Sequence, residues 1–322
     1  STVTVPIDVT DINKGRIRSA MDVWENIANV KFVKNDTTPQ ITFAEGKIAV
    51  DAGVTHIDGG NVIENKLDNA NIFFASNIVD YAPGTYLGGT VLHEIGHALG
   101  LDHPNHNGKD PNYNYGTTLM SYNRLPGYPN LQPETPMIYD IAAIQFLYGA
   151  NTSYNSGNSN YELKGFDKLW TIWDGGGIDT FDASKQTASV TLDLREGFDT
   201  NGKQYVTKVG NEVVFNAYNA NIENAIGGNG DDFIYGNDLI NNLSGGGQKD
   251  TINGGKGDDI LTGGTGDDIF ILNTGDGKDT IIGPEAGDRV VYNGVTIEDR
   301  AYNLENGYYK LPSGFALQKQ GN

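Results

Sequence analysis

Apolar positions in the first half of the chain recur at helical spacing before they break into shorter runs. Ile17, Ala20, Met21, Trp24, Ile27 and Ala28 fall three and four apart, the stripe an amphipathic helix turns toward a core. Asp11 or Asn13 stands ahead of that stripe as an N-cap, because a short polar side chain can accept from the free N–H groups of a first turn. Val30 to Phe32, Ile41 to Phe43 and Asn71-Ile72-Phe73-Phe74-Ala75 predict strands. The small residues of Leu87-Gly88-Gly89-Thr90-Val91-Leu92 lead into a second helix that can pack closely. Pro136 opens a third, Met137 to Tyr148, closed by Gly149. The Ser/Asn/Gly-rich stretch from Thr152 to Asn160 then ends the pattern, so a domain boundary is expected between residues 151 and 152.

The second half has a different period. From Gly227, glycine pairs recur in a nine-residue register: Gly227-Gly228, Gly245-Gly246, Gly254-Gly255 and Gly263-Gly264, with a degenerate copy from Gly236. The copies starting at Gly227, Gly254 and Gly263 match G-G-x-G-x-D-x-U-x in full, the repeat of a calcium-binding parallel β-roll. Its first six residues form a turn and its last three a short strand, whose apolar residue (Ile234, Leu243, Ile252, Leu261 or Phe270) points inward. Candidate calcium ligands are the turn positions Gly228, Gly230, Gly246, Gly255, Gly257, Gly264 and Gly266 and the side chains of Asp232, Asn241, Asp250, Asp259 and Asp268. In proteins that carry this repeat two copies make one coil, and the resemblance implies that residues 18 apart stack: Asp232 over Asp250, Asp250 over Asp268, and Asn241 over Asp259, the last with one charge fewer. Stacked carboxylates repel unless a cation lies between them, and hard oxygen donors suit calcium.

Composition sharpens this picture. The chain has 322 residues, enough for two cores, and a formal net charge of −19. Such an acidic surface argues against nucleic acid, whose phosphates need basic partners, and favours cations. No apolar run reaches membrane-spanning length. There are no cysteines, so a secreted fold would need another reinforcement, such as calcium. The start, Ser1-Thr2-Val3-Thr4, carries no basic-plus-apolar leader, which leaves a mature chain or another export route.

The densest chemistry lies in His93-Glu94-Ile95-Gly96-His97-Ala98-Leu99-Gly100-Leu101-Asp102-His103, a match to H-E-x-x-H-x-x-G-x-x-H. On a helix, His93 and His97 lie one turn apart on one face and can reach one ion, with Glu94 beside them able to touch a water without ligating. Gly100 lets the helix stop at low cost, and the chain returns with His103 as third ligand. Three nitrogens leave a fourth position open, the arrangement of a single catalytic zinc. The chain has only five histidines, and three fall here. His56 and His106 fit no ligand spacing. Asp102 either orients an imidazole or is a solvated acid. Tyr113 and Tyr115 either rim the cleft or pack.

Thr118-Leu119-Met120-Ser121-Tyr122, with Met120 seventeen residues after His103, resembles the methionine turn of the metzincin zinc proteases, and Met-Ser-Tyr in a chain without cysteine is similar to the serralysins. Asp140-Ile141-Ala142-Ala143-Ile144-Gln145 with Leu147-Tyr148-Gly149-Ala150-Asn151 resembles the helix closing their catalytic domain. The resemblance implies an α+β fold: a metzincin-type catalytic domain at 1–151, followed by an all-β parallel β-roll domain at 152–322. It implies Met120 as an apolar floor beneath the histidines, and Tyr122 as a zinc ligand at rest that swings away when substrate binds. The strand at Asn71 to Ala75 is then either the edge that takes an extended substrate or an ordinary core strand.

Trp173-Asp174-Gly175-Gly176-Gly177-Ile178-Asp179-Thr180-Phe181 resembles a further serralysin calcium loop. The resemblance assigns one ion to Asp174, Gly176 and Asp179 with oxygens of Asn155, Gly157 and Ser159. It assigns a neighbour to Gly177, Asp179, Asn221 and Glu223. The family commonly has arginine and threonines where Asn155, Ser159 and Asn221 stand.

The implied activity is peptide-bond hydrolysis by a secreted, monomeric zinc endopeptidase, with several structural calcium ions, protein or peptide substrates and room for a proteinaceous inhibitor. Glu94 is the implied general base and Tyr122 the implied transition-state donor. Type I export is implied, though the family ends in an acidic residue followed by apolar ones and this chain has Phe315-Ala316-Leu317-Gln318-Lys319-Gln320-Gly321-Asn322. The stretch from His103 to Met120 is short beside the family's. A non-catalytic calcium-dependent binding or adhesion module is the alternative, against which Glu94 speaks. A lipase sharing only the roll would carry a Gly-x-Ser-x-Gly elbow, which is absent from the sequence.

Overall fold

The computed structural model describes residues 3–9, 14–35, 37, 40–46, 53–57, 70–75, 82–104, 109–297, 308–310 and 316–318. The cap positions Asp11 and Asn13, His106 and the tail from 319 lie outside the described residues. The fold is mixed and sheet-rich, with three helices among the described residues. The chain divides into two compact units, 1–154 with 168–175, and 155–167 with 176–322.

In chain order the elements begin β1 (Val3–Val9), α1 (Lys14–Ile27), β2 (Val30–Lys34), β3 (Ile41–Gly46), β4 (Gly53–Ile57), β5 (Ala70–Ala75), α2 (Tyr86–Ala98), α3 (Ile138–Tyr148), β6 (Asn160–Glu162) and β7 (Lys168–Ile172). In the first unit the sheet order is β2-β1-β3-β5-β4. All neighbours are parallel except β4, which runs antiparallel at the edge. The helical stripe of α1 is the core: Ile17, Met21, Trp24, Ile27 and Ala28 are buried, Trp24 completely. Only Ala20 of the stripe is half-buried. The apolar run at Asn71 to Ala75 forms β5, enclosed between β3 and β4 with Ile72 fully buried. Of the two readings open for that run, the enclosed strand holds. The edge falls to Gly53–Ile57, which carries His56 and whose Gly-Val-Thr-His-Ile sequence has too weak an alternation to announce a strand.

The second unit continues with β8 (Thr180–Asp182), β9 (Thr191–Asp193), β10 (Thr207–Val209), β11 (Glu212–Asn216), β12 (Asn224–Ile226), β13 (Phe233–Tyr235), β14 (Asn242–Gly247), β15 (Thr251–Asn253), β16 (Ile260–Thr265), β17 (Ile269–Leu272), β18 (Thr280–Ile282), β19 (Arg289–Tyr292) and β20 (Val295–Ile297). Successive strands from β12 to β19 alternate between two sheets and pair in parallel with their neighbours in this series. One runs β18-β16-β14-β12-β8-β6 and the other contains β19-β17-β15-β13-β9. Each short strand buries one apolar side chain between the sheets: Ala225, Ile234, Leu243, Ile252, Leu261 and Phe270 are all at most 1% exposed. The register places Asn224 beside Asn242 and Asn242 beside Ile260, a coil of 18 residues. The next partner of Ile260 is Thr280, and that of Ile269 is Arg289, so the last coil is 20 residues long. The glycine-pair rule does not anticipate that coil, because its turn residues Asn273 to Asp279 lack the paired glycines.

With a core only one side chain thick, each inward residue matters. Leu243→Ala is expected to destabilise the second unit by about 2–5 kcal/mol through the lost transfer energy and the cavity left behind. Urea unfolding in calcium buffer, followed by circular dichroism, checks this.

Candidate metal centre

Helix α2 begins at Thr85, whose hydroxyl accepts from the Gly88 N–H at 3.1 Å. Its end is set by Gly100, which takes φ 104° and lets Leu101 N–H return to the Gly96 carbonyl at 2.9 Å. The polypeptide thereby doubles back and brings His103 to the face that already carries His93 and His97. Nε2 of His103 lies 3.0 Å from Nε2 of His93 and 3.0 Å from Nε2 of His97. The Nδ1 atoms face backbone carbonyls: His93 that of Leu119 at 2.9 Å, His97 that of Leu101 at 2.8 Å. A carbonyl can only accept, so both Nδ1 atoms carry the proton and both Nε2 lone pairs face the common point.

Burial keeps these rings neutral. It lowers His93 to about 4 and His97 to about 4, and it lowers His103 as well; neighbouring imidazoles add to the effect at His93 and His97. The donor set therefore fits a divalent metal: three neutral nitrogens within 4.8 Å of one another. Zinc–nitrogen bonds of ~2.0–2.1 Å in a tetrahedron would place such nitrogens ~3.3 Å apart, close to the spacing found.

Glu94 is 6% exposed and interacts electrostatically with His97, His103 and Tyr122. The Tyr122 hydroxyl stands 2.7 Å from His103 Nε2, and its ring lies over those of His93 and His103, at centroid distances of 5.6 and 4.8 Å. Burial, helped by Glu94, raises the Tyr122 pKa, so the phenol remains a donor at neutral pH. Met120 is 2% exposed beneath the helix; a Cβ at Gly96 would come within 3.0 Å of its sulfur and 3.3 Å of Trp24. Asp102 Oδ1 accepts from the backbone N–H of His103 at 2.7 Å, which fixes the chain where it delivers the third ring. Tyr113 packs against Tyr139 at 5.9 Å.

Asp140 escaped sequence reasoning. Its buried carboxylate accepts from Thr118 Oγ1 at 2.6 Å, Leu119 N–H at 2.6 Å and Met137 N–H at 2.8 Å. The available signal was an acid three residues past the Met137 cap of α3, in the position of a capping-box partner.

In the second unit the turn carboxylates form two ladders. Asp232 N–H donates to Asp250 Oδ1, Asp250 N–H to Asp268 Oδ1 at 2.8 Å, and Asp268 N–H to Asp288 Oδ1 at 3.0 Å. On the other edge Asn241 N–H donates to Asp259 Oδ1 at 2.8 Å and Asp259 N–H to Asp279 Oδ1 at 3.1 Å. Asp279 and Asp288 were missed because the 20-residue coil takes them out of register. The second oxygens of Asp250, Asp259 and Asp268 are buried and accept no hydrogen bond. Each faces a glycine five residues earlier, Gly245, Gly254 and Gly263, where a Cβ would collide with the carboxylate. Burial, then like charges, pushes Asp250 and Asp259 up to about 7.

Of the residues at Trp173 to Phe181, Asp174 belongs to the first unit and Gly176, Gly177 and Asp179 to the second. Within the second unit, Asp179 Oδ1 accepts from Ser159 N–H at 2.7 Å, Asp179 N–H donates to Glu223 Oε2 at 2.8 Å, and Gly177 sits against Gly157. The Asn155 amide is directed at Tyr161 Oη, 3.1 Å away, and Asn221 is exposed.

The family model described as peptidase M10, serralysin C-terminal, matches residues 140–300, half of the chain. The chain belongs to the serralysin family. A serralysin of Proteus mirabilis is 32% identical, over 74% of this chain and 56% of its own length. Metalloprotease AprA of Pseudomonas entomophila is 33% identical, over 73% and 55%. Serralysin C of Dickeya chrysanthemi is 37% identical, over 49% and 38%. The chain thus spans about half the length of the curated relatives it matches. Among the described residues, no helix is long and apolar enough to cross a membrane.

Proposed function

We propose that this chain is a secreted zinc-dependent endopeptidase that hydrolyses peptide bonds in extracellular proteins. Its catalytic domain occupies 1–151 in a metzincin-type arrangement, and a calcium-stabilised β-roll occupies 152–322. The observation that carries the reading is the convergence of three neutral imidazoles with a tyrosine hydroxyl at one point, with the buried Glu94 acting electrostatically on His97, His103 and Tyr122. His93, His97 and His103 would hold the zinc, with Tyr122 as a further ligand at rest. When bound there, a zinc ion would supply Lewis acidity and make water a stronger acid at neutral pH, by lowering its pKa from about 15.7 toward about 7.

Glu94 accepts the proton of the attacking water on its carboxylate and returns it to the leaving nitrogen. Tyr122, a phenol protonated at neutral pH, donates its hydroxyl hydrogen to the oxygen on which charge develops. Leu119 and Leu101 hold the rings of His93 and His97, so the ligands need no reorganisation before they act. In the second domain the ligands of several calcium ions are proposed at Gly228, Gly230, Asp232, Asn241, Gly246, Asp250, Gly255, Gly257, Asp259, Gly264, Gly266 and Asp268, supported by the buried, unbonded oxygens of Asp250, Asp259 and Asp268. Further ions are proposed at Asp174, Gly176, Asp179, Asn155, Gly157 and Ser159, and at Gly177, Asp179, Asn221 and Glu223. A merely adhesive role leaves the buried Glu94 beside three imidazoles without a purpose.

The test is elemental analysis of the purified protein combined with casein cleavage, with and without a zinc-selective chelator. One zinc per chain and chelator-sensitive cleavage are expected. His97→Ala should lose both metal and at least about 10³-fold of the cleavage rate, and a variant that keeps stoichiometric zinc would remove His97 from the ligand set.

A further inference from the structure

The carboxylate of Asp140 sits at the N-terminus of α3, away from the imidazole rings, yet its hydrogen bonds run to the turn that touches one of them. Oδ1 accepts from Thr118 Oγ1 at 2.6 Å, and Oδ2 accepts from both Leu119 N–H at 2.6 Å and Met137 N–H at 2.8 Å. Thr118 Oγ1 in turn accepts from Met120 N–H at 3.0 Å. These bonds pin the turn 118–120 on both sides of Leu119, and the Leu119 carbonyl is the group that accepts from His93 Nδ1 at 2.9 Å.

We propose that Asp140 is a positioning residue for the metal centre, acting through the Leu119 backbone to hold His93 as its Nδ1–H tautomer with Nε2 turned toward His97 and His103. Burial raises the Asp140 pKa to about 6 against the opposing hydrogen bonds from Thr118, Leu119 and Met137, so at neutral pH and above the group is ionised, and an ionised acceptor makes stronger hydrogen bonds than a neutral one. The effect is selective by construction. His97 takes its orientation from the Leu101 carbonyl, and Leu101 is fixed by the end of α2, with its N–H on Gly96. Nothing in the Asp140 bonds passes through that segment. The consequence for binding rests on the reading of these histidines as zinc ligands, whereas the consequence for the tautomer does not.

The experiment uses the full chain in calcium buffer and two readouts. In metal-free protein, long-range proton–nitrogen NMR reports the tautomer of each histidine. Competition with a chromogenic chelator reports zinc affinity. In the parent chain His93 and His97 are both expected as Nδ1–H. Asp140→Asn, which keeps the shape but turns an amide toward N–H donors, is expected to give mixed tautomers at His93 alone and to weaken zinc binding about 10–100-fold. Thr118→Val perturbs the same carboxylate more gently and should shift His93 in the same direction with a loss of about 3–10-fold. Thr118→Ser, which keeps the hydroxyl, should match the parent. A His93 tautomer unchanged in Asp140→Asn, or unchanged in Thr118→Val if the former does not fold, overturns the proposal. So does an equal shift at His93 and His97, the mark of general loosening. If the parent chain binds no zinc while the His93-selective shift is present, the zinc reading fails and the positioning by Asp140 stands.

Discussion

Glu94→Gln is expected to lower the rate of peptide cleavage by about 10³-fold while leaving zinc content and melting temperature close to the parent's, because general-base removal costs about 10²–10⁴-fold. The reasoning is positional. Glu94 follows His93 on α2, so its side chain leaves the helix about 100° around from that of His93. Its electrostatic influence reaches His97, His103 and Tyr122, the groups proposed above to act on the scissile carbonyl and the attacking water. Glutamine keeps the volume and a hydrogen-bond acceptor but cannot take a proton. The loss should therefore fall on kcat, with KM changed little. Metal analysis, thermal melting and steady-state kinetics on one peptide substrate check this together. A variant retaining more than about a tenth of the parent kcat would remove Glu94 from the role of base.

The parts that could be read from the amino-acid string are those set by local spacing. His93, His97 and Gly100 act through helix geometry alone, and the inward positions Ile234 to Phe270 follow from a nine-residue period; neither requires knowledge of a distant partner. What stayed hidden depends on contacts between remote segments. Asp140 looks like an ordinary first-turn acid until α3 is packed against the turn at Thr118 to Met120. The edge position of Gly53–Ile57 is a property of sheet order, and an apolar run such as Asn71 to Ala75 reads the same at an edge or inside. Asp279 and Asp288 continue the ladders through a coil of 20 residues, so only the backbone register discloses that they stack on Asp259 and Asp268.

Those ladders set the second large effect. Removing calcium with a selective chelator is expected to melt the region 176–322, abolish its strand signal at ambient temperature and open it to proteolysis. Each site filled at a thousandfold excess over its Kd adds about 4 kcal/mol to the folded state, so several sites together exceed the few kcal/mol by which a typical domain is stable. The carboxylates also give the response a pH dependence of opposite sign with and without the ion. Burial, then neighbouring acids, raises Asp250 and Asp259 to about 7 and Asp279 to about 6, against about 3.9 in an unfolded chain. A carboxyl whose pKa rises on folding holds its proton more tightly in the folded state. Without calcium it therefore stabilises the fold fully below about pH 4, and that contribution is lost as pH climbs through about 7. Calcium binds the ionised form, so its own contribution grows over the same interval. Metal-free protein should accordingly melt at a lower temperature at pH 8 than at pH 5.5, and protein in millimolar calcium should show the reverse order. Circular dichroism melts under the four conditions decide the matter. Identical melting with and without the chelator at pH 8 would mean that the buried oxygens of Asp250, Asp259 and Asp268 are not cation ligands.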